Sequence, residues 1–176
     1  MTNAADSLGE QGRRVFIDAL NLAYWCGMPP SLRFPLALMR QLLANGDQAF
    51  LYFDASARHA LKHEGEIYQQ LLQYPRPCIE VPAGRTADGV MLRYARIGGA
   101  SIVSRDRYRD YRSRFRKLID DPTRLLPGFV ADDLLQVPAL ELAAPVPATA
   151  ELAWQQLQPL LEHPQSGGPR AVTSLA

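Results

Sequence analysis

Residues 15–23 read VFIDALNLA and carry the clearest structural signal in the chain. Three apolar residues, two of them β-branched, end abruptly at Asp18, which is the pattern of a short buried strand with a carboxylate at its carboxyl end. Two other runs share this pattern, since AFLYF at 49–53 precedes Asp54 and SIVS at 101–104 precedes Asp106 by one residue. A single aspartate after a strand is commonly a loop or cap residue, so the functional argument depends on the repetition.

Segments with helical spacing separate these runs. Apolar residues recur every three or four positions from residue 36 until the Asn-Gly stop at 45–46. Further helices are predicted at residues 57–73, 87–97 and 108–119, a further strand at 78–81, and a last strand or a hairpin between 125 and 137. This alternation predicts an α/β fold with three layers (α/β/α) and a central, mainly parallel sheet of about five strands. Right-handed crossovers would place the carboxyl ends of those strands at one edge, where ligands bind in such sheets.

The composition fits one folded domain. The chain has 176 residues, of which 47% are hydrophobic and 21% charged, and this excludes a wholly disordered chain, a disulfide scaffold and a collagen-like repeat. The net charge of +1 is unevenly distributed, because residues 85–124 hold eleven basic and five acidic residues and thus +6. Seventeen of the nineteen basic residues are arginine, which suits bidentate contacts with phosphate groups.

The predicted organisation has three parts. A flexible segment at 1–12 precedes a domain at 13–137, and residues 138–176 comprise an Ala/Pro-rich linker, a short amphipathic helix and a disordered tail. The helix, at 151–163, is expected to dock on its own domain, with a homodimer or another partner as alternatives. The two cysteines lack metal-type spacing, and no apolar run is long enough to span a bilayer. The sequence therefore predicts a cytoplasmic protein with no membrane contact.

Four carboxylates are expected to meet at the ligand-binding edge of the sheet. Asp18, Asp54 and Asp106 follow strands, and Asp88 lies in the first turn of the helix at 87–97. Like charges this close repel and raise one another's pKa unless a cation compensates them. Carboxylate oxygens are the ligands that Mg²⁺ and Mn²⁺ prefer, so the pattern indicates metal-assisted phosphoryl chemistry.

Three segments resemble the NYN domains, the PIN-like ribonucleases that include the Regnase type. VFIDALNLA at 15–23 resembles the strand-plus-D-x-x-N opening, and TADGVMLRYA at 86–95 resembles the central acidic helix. GGASIVSRDRYRDY at 98–111 resembles the S-N-D-x-[YF]-R-D-L signature, with Arg105 in the Asn position. The three motifs occur in the right order and cover about residues 13–137.

This resemblance implies a PIN-like fold and a Mg²⁺- or Mn²⁺-dependent endoribonuclease that acts on single-stranded or structured RNA. Asp18, Asp88 and Asp106 would ligate the metal, Asp110 would complete the catalytic acidic group, and Asn21 would orient Asp18 or contact the substrate. Asp54, at a position where many Regnase-type members lack an acid, and Ser104 are expected to lie next to the metal ligands. Regnase-type members often have two adjacent acids at the central helix, where this chain has Ala87-Asp88. A catalytically degenerate NYN-type RNA-binding module is therefore the alternative.

The basic block surrounds the acidic motifs and is the predicted RNA contact. Phosphate contacts are assigned to Arg85, Arg105, Arg107, Arg109 and Arg112, and base stacking to Tyr108. A phosphatase of the haloacid-dehalogenase type is disfavoured because Asp18 is followed by Ala19-Leu20 and not by a D-x-D pattern. A nucleotide-binding fold is disfavoured because no Gly-rich loop follows the first strand.

Overall fold

A five-stranded parallel sheet forms the centre of the protein, whose computed structural model describes residues 12–163. The predicted flexible residues 1–11 and the predicted tail at 164–176 lie outside the described residues. The strands are β1 (Arg14–Asp18), β2 (Gln48–Phe53), β3 (Cys78–Glu80), β4 (Ser101–Val103) and β5 (Leu125–Leu126). Their order in the sheet is β3-β2-β1-β4-β5, and all four neighbouring pairs are parallel. The predicted α/β fold with about five parallel strands is confirmed.

Helices cover both faces of this sheet, as predicted for three layers. They are α1 (Ala19–Ala23), α2 (Arg33–Ala44), α3 (Ala57–Ala60), α4 (Gly65–Leu71), α5 (Ala87–Gly98), α6 (Arg112–Ile119) and α7 (Ala150–Glu162). Val15 and Ile17 of β1 pack with α1, α2, α4 and α7, whereas Phe16 packs with α5 and α6. Successive side chains of a strand point to opposite faces, so Asp18 shares the α5–α6 face with Phe16.

Two predicted helices are shorter in the structure. Residues 57–73 form α3, a 3-10 turn at Lys62–Glu64, and α4, so the helix is broken. The break coincides with the Glu64 carboxylate, which accepts hydrogen bonds from Ser31 Oγ and the Leu32 backbone N–H, both at 2.7 Å. These distant partners override the local helical preference. Residues 109–111 likewise form a 3-10 turn, and α6 begins only at Arg112.

The segment predicted as a linker is part of a second sheet. Strand β8 (Leu142–Pro145) pairs antiparallel with β7 (Leu134–Val137), which pairs with β6 (Phe129–Ala131). Leu142 and Ala144 are buried while the alternate positions are exposed, so a strand forms despite the Ala/Pro-rich composition. A last strand or a hairpin is predicted between residues 125 and 137, and the structure contains both. β5 is the last strand of the central sheet, and β6 and β7 form a hairpin.

Helix α7 docks on its own domain. Thr149 caps its amino end by accepting a hydrogen bond from the Leu152 N–H, and the buried residues Ala153, Trp154 and Leu157 join the core against α2. The helix continues through Pro159, which lies in the last turn, where few backbone bonds remain to be lost. No helix within residues 12–163 is long and apolar enough to cross a membrane.

Candidate active site

Asp18 is a buried carboxylate without a basic partner. Its side chain lies at the carboxyl end of β1, the residue is 9% exposed, and Oδ2 accepts hydrogen bonds from Ser104 Oγ (2.9 Å) and Tyr108 Oη (2.6 Å). No ion pair neutralises it among residues 12–163. Burial raises the pKa of Asp18, the hydrogen bonds from Tyr108, Ser104 and the Asn21 backbone oppose this shift, and the charge of Asp106 adds to it.

The loop after β4 is folded around its own polar groups. Ser104 Oγ accepts a hydrogen bond from the Asp106 N–H at 3.0 Å, and Asp106 Oδ1 accepts one from the Tyr108 N–H at 2.7 Å. This turn holds Tyr108 in the left-handed region (φ 48°, ψ 44°), which is rare for an aromatic residue and costs conformational energy. The conformation buries the ring and directs its hydroxyl group to Asp18, while Asp106 remains exposed.

Asp88 and Asp54 lie on the opposite side of the same cluster. Thr86 caps α5 by accepting a hydrogen bond from the Gly89 N–H, which sets Asp88 in the first turn. Burial, and then the charges of Asp18, Asp106 and Asp54, raise the pKa of Asp88 to about 6. The charges of Asp18, Asp106 and Asp54 therefore act on Asp88 at this edge of the sheet.

Asp54 also contacts the amino end of α5. Its Oδ1 accepts a hydrogen bond from the Ser56 N–H (3.0 Å) and its Oδ2 one from the Ala87 N–H (3.4 Å). These backbone donors, with that of Ser56 the strongest, lower the pKa of Asp54. The carboxylate that follows β2 thus reaches the backbone of Ala87, the position at which the resemblance predicts a second acid.

The donor set suits a divalent cation, although the oxygens do not yet converge on one point. No three His, Cys, Asp or Glu side chains in the described part of the chain are arranged to hold a metal ion as they stand. Asp18, Asp88 and Asp106 nevertheless supply only hard oxygen donors, and burial raises the pKa of both Asp18 and Asp88. Asp110 is exposed in the turn Arg109–Tyr111 and makes no hydrogen bond or ion pair within residues 12–163.

Arg105, a predicted phosphate contact, is exposed but also makes several contacts within the protein. Its Nε and Nη1 donate hydrogen bonds to the carbonyl oxygens of Gly128 (2.9 Å) and Trp25 (3.1 Å), and its guanidinium lies 4.4 Å from the Trp25 ring centroid. The backbone N–H of Arg105 and the indole N–H of Trp25 both donate to Asn21 Oδ1, at 3.0 Å each. The Asn21 side chain therefore connects the segment after α1, which holds Trp25, to the loop after β4, which holds Arg105. A hydrogen bond from the Asn21 backbone lowers the pKa of Asp18.

Tyr108 is not a stacking residue in this structure. It is 2% exposed, so its ring cannot present a face to a base, and its hydroxyl group binds Asp18 instead. Arg112 pairs with Asp120 (2.9 Å), whereas Arg85, Arg107 and Arg109 are exposed and form no ion pair within residues 12–163. The sequence pattern Ser-x-Asp-x-Tyr at 104–108 contains both residues that donate hydrogen bonds to Asp18, Ser104 and Tyr108. The pattern alone does not show which of its side chains are buried.

The family comparison agrees with this geometry. The Zc3h12a-like ribonuclease NYN domain family matches residues 11–142, which is most of the chain. The chain belongs to this NYN ribonuclease family. The resemblance predicted from three motifs is confirmed.

Solved structures share the fold of this NYN domain. The crystal structure of nuclear proteinaceous RNase P 2 (PRORP2) from A. thaliana has a TM-score of 0.59 at 15% identity, covering 78% of this chain and 31% of that one. Another structure, Arabidopsis thaliana nuclear protein-only RNase P 2 (PRORP2), has a TM-score of 0.56 at 13% identity, covering 71% of this chain and 29% of that one. The chain thus spans about a third of the length of these structures. No curated protein matches it in sequence.

Proposed function

We propose that this NYN domain is a metal-dependent endoribonuclease that cleaves single-stranded RNA, with Mg²⁺ or Mn²⁺ held by Asp18, Asp88 and Asp106. The observation that carries the proposal is the buried Asp18 carboxylate, which has hydroxyl donors but no basic partner within residues 12–163. Beside it, the charges of the other carboxylates help to raise the pKa of Asp88 to about 6. A buried carboxylate with other carboxylates nearby is unfavourable without a cation, and such groups are typical of functional sites.

The residues around the carboxylates have distinct parts in this proposal. Ser104 and Tyr108 both bind Oδ2 of Asp18, so they orient the carboxylate without occupying Oδ1. A bound divalent cation would lower the pKa of a water molecule and stabilise negative charge on the phosphodiester. Arg85, Arg107 and Arg109, which are exposed near the acidic motifs, would hold the RNA phosphates, and Asp110 would supply a further carboxylate from its turn.

One observation favours the alternative, a catalytically degenerate RNA-binding module. Ala87 stands where related sequences often have an acid, and no three carboxylates in the described part of the chain converge as they stand. Asp54 weighs against this alternative, because its Oδ2 reaches the Ala87 N–H and supplies negative charge at that place. We therefore retain the nuclease as the better supported function.

Cleavage of a 5′-labelled, unstructured RNA strand in Mn²⁺, in Mg²⁺ and in EDTA tests the proposal. The variants are Asp88→Asn and the matched control Asp132→Asn, which removes one exposed carboxylate at a left-handed turn position that asparagine tolerates. We expect internal cleavage by the wild type and the control with metal, none in EDTA, and a loss for Asp88→Asn. Metal-independent binding without any cleavage would overturn the nuclease and support the RNA-binding module. Cleavage that persists in Asp88→Asn would overturn the metal assignment.

A further inference from the structure

A groove between α5 and α6 lies next to the carboxylate cluster. It has a volume of about 500 Å³, and its lining includes four arginines and two aromatic rings, namely Arg85, Arg93, Arg96, Arg114, Tyr111 and Phe115. One end is formed by Arg85 and Thr86, directly before the helix that carries Asp88. The groove therefore begins at the proposed active site and extends away from it along α5.

The arginines of this groove carry uncompensated charge. None of the four forms an ion pair within residues 12–163, and no acidic side chain lines the groove. The adjacent arginines of α6 are different, since Arg112 and Arg116 both pair with Asp120. A concave surface with several unpaired positive charges attracts a polyanion.

Internal contacts hold part of the groove in place. Arg96 Nη1 donates a hydrogen bond to the Arg114 carbonyl oxygen at 3.4 Å. The guanidinium groups of Arg96 and Arg114 lie 4.9 Å and 5.7 Å from the centroid of the buried Phe115 ring. Guanidinium groups that are already positioned lose less conformational entropy when they bind a phosphate. Tyr111, whose hydroxyl group hydrogen-bonds to Thr86, adds a half-buried aromatic ring to the lining.

We propose that this groove binds the phosphate backbone of the single-stranded RNA segment that flanks the cleavage point. From Ala87 to Arg96 helix α5 rises about 14 Å, which is the length of roughly four stacked nucleotides. An open groove of about 500 Å³ has room for part of one strand, and an accessible aromatic ring such as Tyr111 beside a row of basic residues is typical of single-strand binding. The assignment rests on the proposed function for the location of the cleaved bond, while its charge and shape are independent of catalysis.

Arg93→Gln is the sharpest test, because Arg93 is exposed and makes no hydrogen bond, ion pair or cation–π contact within residues 12–163. The matched control is Arg116→Gln, which removes the same charge from an exposed arginine outside the groove. Fluorescence anisotropy with a labelled U12 strand in EDTA measures binding without metal-dependent cleavage. We expect Arg93→Gln to weaken binding about three- to tenfold and to reduce the salt dependence by about 0.7 in the log–log slope, which is one phosphate contact. Arg116→Gln should bind like the wild type.

The outcomes separate this proposal from the nuclease proposal. Equal effects of the two variants, or no effect of either, would overturn the groove, because general charge would then account for binding. The same sensitivity to Arg93→Gln with a 12-base-pair RNA duplex would overturn the assignment to a single strand. If Arg93→Gln weakens binding and Arg116→Gln does not, but the wild type fails to cleave RNA in Mn²⁺, the groove proposal would be supported and the nuclease proposal overturned.

Discussion

An aspartate is buried at each edge of the central sheet, but within residues 12–163 only Asp47, at the amino edge, pairs with a basic side chain. Asp47 precedes β2 at the amino edge and is 8% exposed, and its carboxylate accepts hydrogen bonds from the Arg13 N–H, Nε and Nη2 at 2.8–3.1 Å. Asp18 ends β1 at the carboxyl edge and is 9% exposed, but it receives only hydroxyl and backbone donors. Equal burial therefore has opposite electrostatic consequences in the same protein.

This difference separates a carboxylate with a structural partner from the one proposed to bind a metal ion. The hydrogen bonds that the Arg13 guanidinium group donates to Asp47 raise the pKa of Arg13, so the cation is stabilised beside its partner. Burial raises the pKa of Asp18, so its charged form is less favourable than in water. The absence of a basic partner within residues 12–163, and not burial alone, supports the proposal that Asp18 binds a metal ion.

The largest expected effect is on cleavage. Asp18→Asn should reduce the rate of RNA cleavage in Mn²⁺ by at least about 10³-fold, because a metal ligand supplies several kcal/mol of transition-state stabilisation. Asp47→Asn should leave the rate per folded molecule unchanged. Single-turnover assays at saturating Mn²⁺ measure both, and similar losses in the two variants would break the comparison.

The free energy of unfolding should be lowered more by Asp47→Asn than by Asp18→Asn, the reverse of their expected effects on cleavage. Asp47→Asn should lower the free energy of unfolding by about 2 kcal/mol, because it breaks a charge-assisted pair that includes a backbone N–H. Asp18→Asn should change it by less than about 1 kcal/mol in EDTA, since the loss of a buried charge offsets weaker hydrogen bonding. Urea unfolding followed by circular dichroism gives both values. A greater loss at Asp18 would contradict the assignment of its carboxylate to function.

The hydroxyl group of Tyr108 should affect metal binding at the carboxyl edge of the sheet, where Asp18 lies. Tyr108→Phe removes a donor to Asp18 and should reduce the affinity for Mn²⁺ by about tenfold, as is typical when support of a metal ligand is lost. Tyr68→Phe is the matched control, because this buried tyrosine also donates to a carboxylate, that of Glu80. Titration of cleavage activity with Mn²⁺ distinguishes them, and equal shifts in the two variants would argue for a general effect on the fold.

The smallest expected effect is on the pH dependence of stability. The folded state raises the pKa of Asp88 from 3.8 to about 6, so it binds the proton more tightly than the unfolded chain does. Its contribution to stability is therefore greatest below about pH 4 and is lost as the pH rises to about 6. The loss should be about 1 kcal/mol, because solvent reduces the effect at this partly exposed group.

Asp88→Asn isolates this contribution. In EDTA, the stability of Asp88→Asn relative to the wild type should increase between pH 4 and pH 7, and Mn²⁺ should stabilise the wild type at pH 7. Asp132→Asn, at the exposed hairpin turn, should show no such trend. Urea unfolding at the two pH values measures the differences, and a difference that does not vary with pH would contradict the role of Asp88.

The sequence alone predicts the parallel sheet, the edge of the sheet at which the aspartates lie, and the family. Short apolar runs specify buried strands, and an aspartate near the end of each one follows directly from the order of residues. Parallel strands then bring Asp18 and Asp106 to one edge, whatever the details of packing. The alternation of buried residues in β8 is present in the sequence too, but its Ala/Pro-rich composition predicts a linker instead.

Only the tertiary structure decides which partner each polar side chain receives. Tyr108 meets Asp18 across 90 residues of sequence, and Arg13 meets Asp47 across 34. Arg105 donates hydrogen bonds to Trp25 and Gly128, whereas Arg93 lies in a groove formed by two helices. Local order specifies strands and helices because their periodicity is local. Charge compensation depends on segments that become neighbours only when the chain has folded.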